Sequence, residues 1–278
     1  MPDLPLGAVV AFDLVNWDIG DQIDLVREAG VGRIQVYRNY TQDISADFVR
    51  RTLADADLIC DSLHGYFWFT TSRGPKFDPS SPDASVRAAS VELLRREADF
   101  ARAIGCRDIV VHPSDDASRT DDAGRPEAVT ASAEALARLG AEADVRFLIE
   151  NMPPPMFGCD ARVLRRAADD AGDPHVGLLY DSGHAMLARE PVEFVRIMGP
   201  RLGLVHLHDT MGADDDHMIP GTGVIPFEAV ARALAEVGYG GTFLLEVLRK
   251  TEEVRRDLVP ARLAFIERLR RLASGMGG

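Results

Sequence analysis

The feature that most constrains this chain of 278 residues is an alternation sustained along nearly its whole length. Short apolar runs, GAVVAF, RIQVY, DLICDSL, DIVVH, RFLIE, VGLLYD, LGLVHLH and TFLLEV, are separated by longer segments. Segments such as SVRAASVELLRREADFARAIG and PFEAVARALAEVG carry apolar residues at i, i+3, i+4 and i+7 spacing, the pattern of an amphipathic helix. A short, nearly unbroken apolar run reads as a strand buried on both faces, which is the signature of a parallel sheet covered by helices. Gly30, Gly105 and Gly238 stand just past helical patterns, and Pro126, Pro191 and Pro226 lie near helix starts. Eight strand-helix units in about 250 residues predict an α/β chain folded as a single-domain (β/α)8 barrel over residues 1–278. An open doubly wound sheet would usually carry a glycine-rich phosphate loop after its first strand, and AFDLVNWD is not one. The segment from Lys250 to Leu272 is a basic and apolar helical pattern expected to close the outer ring.

Composition narrows the partners. The chain is 46% hydrophobic and 27% charged, enough for one large core, and its net charge of −13 opposes non-specific attraction to nucleic acid or anionic membrane. No apolar run approaches the ~20 residues that span a bilayer, and MPDLPLGAVVAF lacks the basic start of a secretory signal. The expectation is a cytoplasmic protein with no membrane partner, acting on a small molecule, with a homo-oligomer left open. Cys60, Cys106 and Cys159 are odd in number and form no CxxC pair, so they are expected as reduced thiols.

A barrel brings the C-terminal ends of its strands to one face, which makes those ends the place to look for chemistry. The third run ends at His64, the fourth at His112, the fifth at Glu150, the sixth at Asp181 with His184 following, and the seventh carries His206. The eighth carries Glu246, and Asp215 and His217 sit in the segment after the seventh. Carboxylates and imidazoles converging without matching Lys or Arg are unfavourable unless a divalent cation neutralises them. Mixed nitrogen and oxygen donors suit Mn, Zn, Co or Fe better than Ca or Mg, without selecting one.

FLIENM, YDSGHA, VHLHD with DDHMIPGTG, and FLLEV together resemble the xylose isomerase-like barrels, a superfamily of sugar and sugar-phosphate isomerases and epimerases that also contains endonuclease IV. The resemblance implies that Glu150, Asp181, His206 and Glu246 hold a catalytic metal, that both glutamates exchange protons with the substrate carbon, and that His184 contacts the substrate. The activity implied is a metal-dependent isomerase or epimerase of carbohydrate metabolism, acting on a sugar, sugar phosphate or polyol-derived ketone through a metal-stabilised enediolate. Epimerases of the tagatose type place an arginine shortly after the seventh strand, where this chain has DDHMIPGTG. The alternative is an endonuclease IV-like zinc phosphodiesterase acting on nucleic acid. There His64, His112, Asp215 and His217, with His184, complete the nine candidate ligands of a multi-zinc site.

Other candidates surround this set. The segment Tyr37 to Tyr40 and the segment from Gly65 are read as loops facing a nucleotide or lidding a sugar pocket, and Pro153 to Cys159 as a further lid. Trp17 and Trp68 are stacking candidates, Gly221 and Gly223 a short loop where many barrels bind phosphate, and Arg249 and Lys250 a source of positive charge. His208 is assigned to supporting a ligand or touching substrate, and His175, which precedes the sixth run, to the opposite mouth.

Overall fold

The structure is a computed structural model that describes residues 5–12, 18–38, 44–67 and 74–247. Eight parallel strands close a barrel in sequence order: β1 (Leu6–Phe12), β2 (Arg33–Arg38), β3 (Ile59–His64), β4 (Asp108–Val111), β5 (Arg146–Glu150), β6 (Val176–Asp181), β7 (Leu202–Leu207) and β8 (Phe243–Leu245). The circle is completed by β8 pairing with β1, Gly7 opposite Leu244. Outside lie α1 (Ile19–Glu28), α2 (Ala46–Asp55), α3 (Ala84–Ile104), α4 (Arg125–Ala143), α5 (Ala161–Ala171), the short α6 (Ser182–Leu187), α7 (Pro191–Met198) and α8 (Phe227–Glu236). Each of the eight apolar runs forms one of these strands. The expected C-terminal helix, with Arg249 and Lys250, lies outside the described residues, as do Trp17, Tyr40 and Trp68.

The helix boundaries follow local chemistry. Asp83 caps α3 by accepting from Ser85 N, and Gly105 ends it at φ 92°, in the left-handed region that favours glycine. Pro126 sits in the first turn of α4 and Pro191 in that of α7, where a missing N–H costs nothing.

Alternation along each strand divides the apolar residues into two cores. Outward residues such as Ile34, Val36, Ile109, Phe147, Leu178, Tyr180 and Val205 join the helices in one continuous cluster. Inward residues Val110, Leu148, Leu179, Leu204 and Leu244, with Val9, fill the barrel itself. The same layer contains Gln35 of β2, which donates to Ser62 Oγ of β3 at 3.0 Å. Two residues further along each strand, the next inward position faces the C-terminal mouth, and from β3 to β8 the polar residues expected from the sequence occupy it.

Candidate active site

That upper layer consists of Ala11, Tyr37, His64 and His112 on one half of the ring, and Glu150, Asp181, His206 and Glu246 on the other. Glu150, Asp181, His206 and Glu246 are each buried, and each offers a ligand atom within 4.8 Å of the others. His206 Nδ1 stands 3.2 Å from Glu150 Oε1 and 3.1 Å from Glu246 Oε2. The other oxygen of Glu150 turns toward His112, 3.3 Å away, and His64, 3.9 Å away. Asp215 comes from the segment after β7, and its Oδ2 lies 3.2 Å from His184 Nε2 and 3.1 Å from His217 Nε2. All nine residues singled out in the sequence are thus gathered at one place, and six of the seven histidines of the chain are among them or in contact with them.

Backbone devices hold the ring. Asn151, directly after β5, donates through Nδ2 to Asp181 O at 3.1 Å and accepts from Asp181 N at 2.8 Å, tying the ends of β5 and β6 together. Asp181 also caps α6, accepting from His184 N at 2.7 Å, while His184 Nδ1 meets Asn151 O at 2.7 Å. His208 Nε2 lies 3.0 Å from both oxygens of Asp181, and its ring stacks on His217 at 4.1 Å. This fits the supporting role read for it, although it also falls within two further groups of close donors, one with Asp181 and His184 and one with His217 and Glu246. His175 stands at the start of β6, paired with Asp173 at 2.7 Å, away from the site.

The phosphate-loop reading of Gly221 and Gly223 is corrected by the structure. Both backbone N–H groups donate to Asp209 Oδ2, at 2.9 and 2.8 Å, and Asp209 Oδ1 accepts from Thr210 N and Ile225 N. The buried carboxylate takes the place an anion would have, and the loop is a structural support for the segment carrying Asp215 and His217. The three thiols are free, but only Cys106 is fully buried.

Electrostatically the site is strongly biased. Burial disfavours the His206 imidazolium, but Glu246 and Glu150 hold it well above the usual histidine range. Burial likewise opposes ionisation of the two glutamates. His206 nonetheless pulls Glu246 down to about 2, and His206 with His112 keeps Glu150 well below its ordinary value. His64, buried beside His112, is pushed down to about 4. His217 is raised to about 9 against its burial, chiefly by Asp215.

A cavity of about 140 Å³ opens above this ring. Tyr37, His64, His112, Glu150, His184, Asp215, His217 and Glu246 line it on the polar side, and Met152, Pro153 and Met156 form an apolar wall. Asp181 and His206 lie fully buried just beneath. The 153–159 segment is therefore part of the enclosure, as expected. Tyr37 was missed as a member of the ring, since the sequence reading put it in the loop after the second strand. The signal was present in RIQVYR, where Gln35 and Tyr37 share one face of the strand.

Residues 23–272 match the xylose isomerase-like TIM barrel family, and the chain belongs to it. It is 28% identical over 250 residues to the uncharacterized protein y4fM of Sinorhizobium fredii, a match covering 80% of this chain and 78% of that one. It is 26% identical over 205 residues to the L-ribulose-5-phosphate 3-epimerase UlaE of Salmonella paratyphi A, covering 68% of this chain and 69% of the epimerase. The crystal structure of a D-tagatose 3-epimerase-like protein superposes with a TM-score of 0.74 at 20% identity, over 94% of this chain and 98% of that one, which shows the shared fold.

Proposed function

We propose that this protein is a divalent-metal-dependent isomerase or epimerase of a ketose, ketose phosphate or polyol-derived ketone. The observation that carries this reading is the approach of two buried carboxylates, Glu150 and Glu246, to one nitrogen of His206 at the floor of the cavity. The similarity to an L-ribulose-5-phosphate 3-epimerase supports it.

The donor set fits a divalent cation. Three buried carboxylates, Glu150, Asp181 and Glu246, gather around His206 Nδ1, a costly concentration of negative charge that a cation would relieve. Glu150, Asp181, His206 and Glu246 would hold it, a mixed imidazole and carboxylate set suited to Mn, Zn, Co or Fe. Bound there, the cation supplies Lewis-acid polarisation of a carbonyl and its neighbouring hydroxyl, which acidifies the carbon between them.

The remaining chemistry belongs to the chain. Glu150 and Glu246 are kept ionised at neutral pH, so either can accept a proton from the substrate carbon, and the pair can exchange it between two faces. His184, fixed by Asn151 and Asp215, orients a substrate oxygen. Met152, Pro153 and Met156 cover the carbon skeleton and limit water. The test is deuterium uptake from D2O at the carbon beside the carbonyl of D-fructose, D-tagatose, L-ribulose and L-ribulose 5-phosphate, using protein loaded with Mn, Co or Zn. Uptake in at least one is expected, and none in any would overturn the reading.

A second reading, a phosphodiesterase of the endonuclease IV kind, is favoured by one observation. The oxygens of Glu150 face different histidines, His112 and His64 on one side and His206 and His184 on the other, a donor set that would hold more than one cation. Asp215, between His184 and His217, would serve a third. Elemental analysis of unchelated protein separates the two. One equivalent of metal supports the isomerase, while two or three of zinc make cleavage at abasic DNA sites the next assay.

A further inference from the structure

Tyr37 belongs to the polar ring, yet neither the isomerase reading nor the phosphodiesterase reading gives it a task. It occupies the inward position of β2 next after Gln35, so its place is set by the strand rather than by a loop. Its ring lies 4.8 Å from that of His64 and 5.6 Å from that of Phe67, and it lines the same cavity as Glu150 and Glu246. No group among the described residues hydrogen-bonds its hydroxyl. The carboxylates around the cavity can only accept hydrogen bonds, and a histidine that binds a cation has a lone pair committed to it. A polyhydroxylated ligand has oxygens that need a donor as well. A phenol is a neutral donor, and its ring costs little conformational entropy to hold in place.

Resting on the isomerase reading above, we propose that the Tyr37 hydroxyl donates a hydrogen bond to a hydroxyl or carbonyl oxygen of the substrate and so selects which carbon stands between Glu150 and Glu246. The apolar wall of Met152, Pro153 and Met156 complements this, since it accepts the C–H face of a sugar and turns its oxygens toward the ring. A phenol keeps its proton at neutral pH and is therefore a donor.

Tyr37→Phe removes the hydroxyl and keeps the ring that packs on His64. Wild type and variant, both metal-loaded, are compared for metal content, thermal midpoint, xylitol binding by calorimetry and deuterium uptake into the ketoses named above. Metal content and midpoint are expected unchanged, with xylitol bound about 3- to 10-fold more weakly and KM for exchange raised by a similar factor. A purely structural role would instead lower the active fraction and leave the xylitol Kd and KM where they were. Equal xylitol affinity in the two proteins, or none in the wild type, overturns the proposal. Failure of wild-type exchange overturns the isomerase reading alone, because the xylitol comparison still reports on Tyr37.

Discussion

Glu150 and Glu246, 96 positions apart in the sequence, lie 3.2 and 3.1 Å from the same atom, His206 Nδ1. Two carboxylates sharing one buried imidazole leave the site with an excess of negative charge. With Asp181 beside them, the arrangement is stable only with protons or a cation present.

Glu150→Gln preserves shape and removes the charge. Proton exchange should fall by about 10²-fold or more, in line with the loss of a general base, while the thermal midpoint of the metal-free protein changes little. Wild-type exchange rates in this variant would remove Glu150 from the mechanism.

Metal should stabilise the fold. A divalent cation at 100 times its Kd adds about 2.7 kcal/mol, which for a chain of this size corresponds to a rise of roughly 4–6 °C in thermal midpoint. The rise should be reversed by EDTA and absent in His206→Ala, as followed by scanning calorimetry.

The chelated protein should be most stable near pH 6.5. His64, held at about 4 in the fold, contributes stability present above 6.5 and lost as pH falls toward 4. His217, raised to about 9, contributes stability present below 6.5 and lost as pH rises through 9. Each arm is worth on the order of 3 kcal/mol. Urea midpoints measured from pH 4 to 9.5 in EDTA should trace a dome, and a bound cation should flatten its alkaline side by replacing the protons. A midpoint still rising above pH 8 in EDTA would contradict this.

Asn151→Leu removes both side-chain bonds to the backbone of Asp181 and leaves a buried N–H and C=O unpaired. The expected cost is about 2–4 kcal/mol, with metal affinity reduced because Asp181 is no longer held against β5. Urea unfolding and metal titration of the same preparation check both effects.

Gly183 is required by close approach. A Cβ there would run into the His208 ring, so Gly183→Ala must displace the imidazole that holds both oxygens of Asp181. Weaker metal binding in a protein with a native circular dichroism spectrum is the expected result. Unchanged affinity would show that His208 is dispensable.

Much of this molecule was legible in one dimension. Runs such as VGLLYD and RFLIE can be little other than strands buried on both sides, and eight of them alternating with helices leave few ways to close a sheet. Because a barrel gathers its strand ends, His64, His112, Glu150, Asp181, His206 and Glu246 could be grouped before any distance was known. Asp215 and His217 stand out in the segment after the seventh run, but a ligand role for them comes only through the resemblance, since nothing in an acidic loop indicates which side chain turns inward.

Three things needed the folded chain. The phase of alternation in β2 decides that Tyr37 faces the cavity, and a one-residue difference would have turned it to the helices. The amides of Gly221 and Gly223 look available in sequence, but the fold delivers the Asp209 carboxylate to them. The division of Glu150 between two sets of histidines exists only once four strands have met. Local pattern determines which residues form strands and which of their ends are polar, because hydrophobic periodicity is a property of neighbouring residues. Which of those polar groups face one another is decided by closure of the barrel, because that alone sets the register and slant carrying each strand end to its place in the ring.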